Sequence, residues 1–329
     1  TTQMYIDETG DISFLLNDQY YFNDQFTHYT RKIKKQPQQN LLLNDKEEPY
    51  KGSILEHLLL QNLVGHHNLG NHGFVRLEDG DWNDGLDMAH HQGETIAFTH
   101  MYANNLRLLA ALIRKLPQSD IILFKELKML LENEVQLSDF FDQVADFKGS
   151  QFSINQITLA NKLEKLAQRR IKFLRENAYA NNQYQSYFDD NGNNPDENGT
   201  IALTGQAIAL LSQVPTKQQA AELSKATKKA LFNKEIGGYH LNSNYQAVLT
   251  TMGRAYGFAY GHKENGAIFS HMVLLYAYGL YQYGLVKLGR EAAFALLDRA
   301  QNKDSQVLLG IPEYFTNEGI EIPENDSSL

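Results

Sequence analysis

The chain has 329 residues, enough for one large core or two domains, and its formal charge of −9 with a pI near 5.7 leaves no basic stripe for a phosphate backbone, which excludes nucleic acid as an expected partner. It contains no cysteine, which excludes disulfides, thiolate catalysis and cysteine-held metals together and makes the cytoplasm the default compartment. No basic segment followed by an apolar one opens the chain, so no signal peptide is read. The most apolar segment, 268–288, is interrupted by His271, Gln282 and Lys287 and reads as a buried helix, so no membrane partner is expected.

In chain order, residues 4–16 read as the end of a helix and a turn with Gly10 at the C-cap, which implies an element ahead of it. Residues 17–51 are polar with weak periodicity, and the run Arg31-Lys32-Ile33-Lys34-Lys35 reads as solvated surface. Ser53-Ile54-Leu55-Glu56 is a capping-box pattern that opens a helix, with Leu55, Leu58, Leu59 and Leu63 at helical spacing and a stop at Gly70. The histidines of this helix, His57, His66 and His67, have no carboxylate at a matching spacing, and no metal site is expected.

A second helix is expected from about Gly93-Glu94-Thr95 to Leu116, closed by Pro117. Others are expected at 120–135, 155–177, 201–214, 216–232, 267–288 and 289–301, with Thr216 and Gln219 forming a capping box after Pro215. The segments 201–214 and 267–288 read as apolar on nearly all sides. Extended pieces at 239–241 and 248–250 are too few for a sheet-based core, and strand and helix patterns do not alternate. The loop at 178–200 is rich in Asn, Asp, Tyr and Gly, does not match an EF-hand, and is explained by turn chemistry. The expected class is all-α, a helical toroid of antiparallel pairs whose loops gather at one end.

Two stretches carry chemistry. Gly80-Asp81-Trp82-Asn83-Asp84-Gly85 places two carboxylates, a carboxamide and the one tryptophan of the chain between glycines, which suits a pocket better than a core. Splitting a glycosidic bond requires a proton for the leaving oxygen, and a carboxylic acid of raised pKa supplies it. Asp81 and Asp84 are both candidates, and the residues alone do not rank them; Asp81 and Asn83 also suit turn capping. In Lys263-Glu264-Asn265-Gly266-Ala267-Ile268-Phe269-Ser270-His271, Glu264 fits a base or a sugar ligand. His271 fits either an anion ligand through its ring nitrogens or a core residue at the start of an apolar helix.

These residues resemble glycoside hydrolase family 94, the inverting cellobiose and chitobiose phosphorylases and their relatives. The resemblance rests on Tyr5-Ile6-Asp7-Glu8-Thr9-Gly10-Asp11 ahead of Phe14-Leu15, on the Gly-Asp-Trp-Asn-Asp-Gly loop, and on the Glu-Asn-Gly-x-x-x-x-His pattern from Glu264 to His271. It implies an (α/α)6 barrel, with residues 1–329 as the catalytic-barrel portion of a longer enzyme. The amino-terminal β-sandwich, an upstream arginine and a downstream threonine-glycine pair of the phosphate site would lie outside this chain.

By the same resemblance, Asp84 is the general acid, Trp82 lines the donor-sugar subsite with Asp81 and Asn83 beside it, Glu264 and Gln206 bind substrate, and His271 holds phosphate. Gly85-Leu86-Asp87-Met88-Ala89 and Gly93-Glu94-Thr95 look more like the larger oligoglucan phosphorylases, acting on β-1,2- or β-1,3-glucans, than the disaccharide enzymes. The implied reaction converts a β-linked gluco-oligosaccharide and phosphate to α-glucose 1-phosphate, with phosphate as co-substrate, no metal or organic cofactor, and a homodimer as the assembly. The alternatives are an inverting hydrolase with Glu264 as base and a non-catalytic sugar-binding module.

Overall fold

Short strands lead into several helices of this protein, and the polar residue at the junction caps the helix it opens. The computed structural model describes residues 2–22, 41–78, 80–132, 134–196, 199–301 and 311–322. Its helices are α1 (Thr2–Thr9), α2 (Ile54–His67), α3 (Ile96–Ile113), α4 (Leu127–Leu130), α5 (Leu137–Val144), α6 (Gln156–Asn177), α7 (Leu203–Leu211), α8 (Lys217–Leu231), α9 (Ser270–Gln282) and α10 (Val286–Ala300). Strands Lys51–Ser53, Glu94–Thr95, Gln151–Asn155 and Ile268–Phe269 run directly into α2, α3, α6 and α9. At three of these junctions a side-chain oxygen accepts the first free helical N–H groups: Ser53 takes Glu56 N at 3.1 Å, Thr95 takes Phe98 N at 3.2 Å, and Asn155 takes Ile157 N at 3.1 Å. The Thr216–Gln219 capping box of α8 forms in both directions, as expected.

Two compact units divide the chain, Thr1–Asn68 with Tyr102–Arg170, and Leu69–Met101 with Ile171–Leu329. In the first, one apolar core joins Leu55, Leu59 and Leu63 of α2 to Leu106 and Ile113 of α3, Phe140 of α5 and Leu159 and Leu163 of α6. Two expectations change here. Residues 120–135 are a strand, Asp120–Phe124, followed by the single turn of α4, because Ile121, Leu123 and Phe124 face the core in an antiparallel pair with Gln151–Asn155. Glu56 does not close the capping box: it is fully buried, and it accepts Phe124 N at 2.6 Å and the Tyr50 hydroxyl at 3.3 Å. α5 was not expected at all, and the basic run at 31–35 lies outside the described residues.

In the second unit, every residue of α7 from Leu203 to Leu210 is buried, in keeping with its apolar sequence. α9 differs from expectation: it starts after the strand Ile268–Phe269, ends at Gln282, and exposes Leu274, Tyr278 and Tyr281 along one face. The chain then turns at Gly284 and α10 begins three residues earlier than read. Gly238–Tyr239 is a strand paired with Phe232–Asn233, whereas 248–250 is irregular and leaves Val248 exposed. Gly10 caps α1 as expected, its N–H bonding Ile6 O at 2.8 Å with φ +70°. The helix-dominated class is the one read from the sequence; all strands among the described residues are of five residues or fewer.

Candidate functional site

The loop at 80–85 hangs between two neighbouring strands of the second unit. Val75–Arg76 and Glu94–Thr95 pair antiparallel, with Tyr187–Phe188 on the far side of Glu94–Thr95, so the sheet fixes both ends of the connection. Glu94 is buried and secures the first end: its carboxylate accepts Phe74 N at 2.9 Å, His72 N at 3.1 Å and the His72 ring nitrogen at 2.5 Å. Asp190 secures the other by accepting three successive backbone donors, His91 N, Gln92 N and Gly93 N, at 2.7–3.0 Å. This is where the polar loop at 178–200 is used.

Within the loop the two aspartates take opposite roles. Asp81 accepts Asn83 N at 2.8 Å on one oxygen and the Thr95 hydroxyl at 2.8 Å on the other, and Tyr187 also bonds it. Burial raises its pKa above the usual carboxylate range, against the pull of those donors. Asn83 is buried and continues the turn by accepting Gly85 N at 2.9 Å. The side chain of Asp84 instead stands 84% exposed, and its contact is Arg254 Nη2 at 3.1 Å from Oδ2. Of the two candidate acids, only Asp84 presents its carboxylate to solvent.

The back of the loop is gripped by the segment 252–255. Ala255 N bonds Gly85 O at 2.9 Å and Met88 N bonds Met252 O at 3.3 Å. The approach is close enough that a Cβ on Gly253, whose φ is +148°, would sit 2.2 Å from Gly85 O, and one on Gly85 would sit 2.9 Å from Ala255 Cβ. Glycine is required on both sides by this contact. Leu77, Leu86, Ala89, Met252, Ala255, Tyr187 and Tyr256 form the small apolar core beneath it.

The downstream motif reaches the same place. Trp82 packs edge-on against Phe269, ring centroids 5.3 Å apart, and against His271 at 5.0 Å. His271 lies in the first turn of α9, and partial burial lowers its pKa below the usual imidazole value. Asn83 and Glu264 both line a small recess with Tyr187, Thr204, Asn242 and Tyr256. Glu264 is held there by its neighbour Asn265, a buried residue that donates to Phe258 O at 2.7 Å and accepts from Asn242 at 3.2 Å. His240 fixes the far side of that turn through its Nδ1 and Gly266 O, 2.6 Å apart.

Gln206 is not brought to the recess. It is fully buried in α7, and its carboxamide is committed to the backbone of Tyr184, accepting Tyr184 N at 2.9 Å and donating to Tyr184 O at 2.6 Å. The sequence reading missed Arg254, Asp87, Tyr256, Asn242 and Asp196. Asp196 is a buried acid that accepts Ser186 N at 2.8 Å and the Tyr245 hydroxyl at 3.4 Å, and burial pushes its pKa up to about 6. Apart from Asp87, which falls within Gly85-Leu86-Asp87-Met88-Ala89, none of these belongs to a short motif; the visible signals were the Gly253-Arg254 pair and the density of tyrosines from Tyr245 to Tyr260. Among the described residues no three His, Asp or Glu side chains gather as metal ligands would, and no helix is long and apolar enough to cross a membrane.

Residues 131–291 match the family described as the glycosyl hydrolase 94 superfamily, catalytic domain. That span includes Glu264 and His271 and lies downstream of the loop at 80–85. A solabiose phosphorylase of Paenibacillus borealis is 22% identical over 277 residues, which cover 82% of this chain and 28% of that protein. This chain therefore spans little more than a quarter of that relative. Among solved structures, the neutral trehalase of Saccharomyces cerevisiae is similar over 65% of this chain and 32% of its own, at 12% identity and a TM-score of 0.44. A mannosylglycerate hydrolase of Thermus thermophilus in complex with glucose is similar over 70% of this chain and 44% of its own, at 14% identity and a TM-score of 0.37. By these matches this chain is similar to the glycosyl hydrolase 94 superfamily over residues 131–291, and its helix-dominated class is the one expected from the sequence.

Proposed function

We propose that this chain carries the bond-cleaving centre of an inverting glycoside phosphorylase, acting on a β-linked gluco-oligosaccharide and phosphate to give α-glucose 1-phosphate and a shortened acceptor. The observation that carries the reading is the convergence of two motifs far apart in sequence: Trp82 lies against His271, and Asn83 shares a recess with Glu264. The match of residues 131–291 to the superfamily's catalytic domain and a phosphorylase among the relatives support the same reaction class.

Asp84 is the general acid, since its carboxylate stands open at the loop tip while that of Asp81 is consumed by the turn. Asp81 and Asn83 hold the loop in shape. Trp82 offers its ring to the donor sugar, Glu264 takes sugar hydroxyls from the recess, and His271 donates to phosphate from the first turn of α9, where the helix N-terminus favours an anion. With phosphate as nucleophile, no second catalytic carboxylate is needed. Gln206 acts through Tyr184, behind the recess, and touches no substrate in this scheme.

The test is product formation by the full-length protein across β-1,2-, β-1,3- and β-1,4-glucans, with and without phosphate. Phosphate-dependent release of α-glucose 1-phosphate is expected, and Asp84→Asn should lower its rate by roughly 10²–10⁴-fold with sugar binding retained. His271→Ala should raise the phosphate KM more than the sugar KM. Free sugar released without phosphate would establish the hydrolase instead. A normal rate in Asp84→Asn would remove Asp84 from its role.

A further inference from the structure

We propose that Arg254, itself fixed by Asp87, is a positioning residue that sets the direction of the Asp84 carboxylate. The inference rests on the assignment of Asp84 as the acid in the reading above.

Arg254 is held independently of Asp84. Its backbone N–H bonds Asp87 Oδ1 at 3.0 Å, and its guanidinium Nη1 bonds Asp87 Oδ2 at 2.5 Å, so one carboxylate grips the residue at its root and at its head. The neighbouring contacts of 252–255 on Gly85 and Met88 keep that root against the loop. With Nη1 spent on Asp87, the planar fork leaves Nη2 pointing to Asp84 Oδ2 at 3.1 Å. Asp84 has no comparable anchor of its own: its side chain is 84% exposed, against 34% for Asp87. Among the described residues Arg254 is the tether and Asp84 the tethered group.

An exposed ion pair contributes little to stability. Its value here is geometric, because a proton donor that swings out of line with the leaving oxygen loses rate even when substrate binding is intact. The role also gives Asp87 a function at one remove from the chemistry. Asn at 87 would keep the acceptor for Arg254 N and lose only the charged contact to the guanidinium.

The experiment measures phosphorolysis by the full-length protein and its Arg254→Gln, Asp87→Asn, double and Arg254→Lys variants, with Asp84→Asn as reference. Arg254→Gln and Asp87→Asn should each lower kcat by roughly tenfold and change the sugar and phosphate KM by less than about twofold. The double variant should be no worse than the poorer single one, because both act through the same carboxylate. Lysine, a point donor, should restore less than full activity. Unchanged kcat in Arg254→Gln, multiplicative losses in the double variant, full recovery with lysine, or a raised KM at constant kcat would each overturn the proposal. An inactive Asp84→Asn beside a normal Arg254→Gln refutes the tether alone. Absence of phosphate-dependent turnover in the unsubstituted protein refutes the functional reading beneath it.

Discussion

Among the described residues the first unit buries four polar or charged side chains, Glu56, Asn62, His66 and His67, and the second buries nineteen. The first is held by apolar packing from α2, α3, α5 and α6, with few polar groups buried in that packing. In the second, buried and half-buried carboxylates and amides take the place of regular ladders along irregular backbone: buried Glu94 under His72 and Phe74, half-buried Asp190 under 91–93, and buried Gln206 on Tyr184 and Asn265 between Phe258 and Asn242. Each supplies the hydrogen bonds that a helix or sheet would otherwise provide. A site made of loops needs such a frame, because a loop without one would leave its buried donors unpaired.

The largest expected effect breaks this frame at its most loaded point. Glu94→Ala leaves Phe74 N buried without its acceptor, removes the acceptor of the exposed His72 N–H and ring, and opens a cavity at a fully buried position, at a cost of about 3–5 kcal/mol in a denaturation experiment. Glu94→Gln keeps an oxygen for Phe74 N and should cost less than half as much. A loss below about 1 kcal/mol in Glu94→Ala, ordinary for a surface change, would mean that the carboxylate does not hold the loop.

The next effect sharpens the comparison through pH, since each unit contains a buried acid with a raised pKa. Burial pushes Glu56 in the first unit up to about 7 from 4.5, and Asp196 in the second up to about 6 from 3.8. In both cases the folded state holds its proton more tightly than the unfolded chain. Stability therefore falls as pH rises from the unfolded to the folded pKa, by an amount on the order of 3 kcal/mol for each group, and is level above that window. Glu56→Gln should flatten the curve between about pH 4.5 and 7, and Asp196→Asn between about pH 3.8 and 6. Urea midpoints across pH 3.5–8 check both, and a Glu56→Gln variant whose slope matches the parent would show that Glu56 ionises freely in the core.

The same contrast decides what could be read in advance. Helices at 155–177 and 216–232 were legible because a period of 3.6 and a capping residue report on neighbours a few positions away. The loop at 80–85 was legible because two glycines and a lone tryptophan are an unusual local composition. Asp120–Phe124 was misread because the four-residue apolar run Ile121–Phe124 has no period long enough to separate strand from helix, and its partner at 151–155 lies beyond two intervening helices, α4 and α5. Arg254 was illegible for a stronger form of the same reason: its role depends on Asp84 and Asp87, about 170 residues earlier, and no local pattern encodes that separation. Gln206 shows the converse. A residue placed in the pocket by likeness of position turns out to serve the backbone of Tyr184, because its own neighbours in α7 are all buried and leave no route to solvent.

The smallest expected effect on stability tests whether the loop must be seated to act. At Gly253 an added Cβ would lie 2.2 Å from Gly85 O and 2.8 Å from Asp87 Oδ1, on a backbone with φ +148°, so Gly253→Ala must push 252–255 away from the loop. Met252, Gly253 and Ala255 are buried, but the overpacking falls on a single loop contact, for which a cost of about 1–3 kcal/mol is expected. Activity should suffer out of proportion, because the same displacement moves Arg254 from Asp84 and loosens the bond from Ala255 N to Gly85 O. Thermal unfolding and kcat measured on the one variant separate the two: a small midpoint shift with a loss of tenfold or more in kcat is expected, since roughly 1 Å of misplacement is enough for such a loss. Parallel small losses in both would mean that the loop keeps its working geometry without the grip of 252–255, and that the polar frame of Glu94, Asp190 and Thr95 alone is sufficient to aim Asp84.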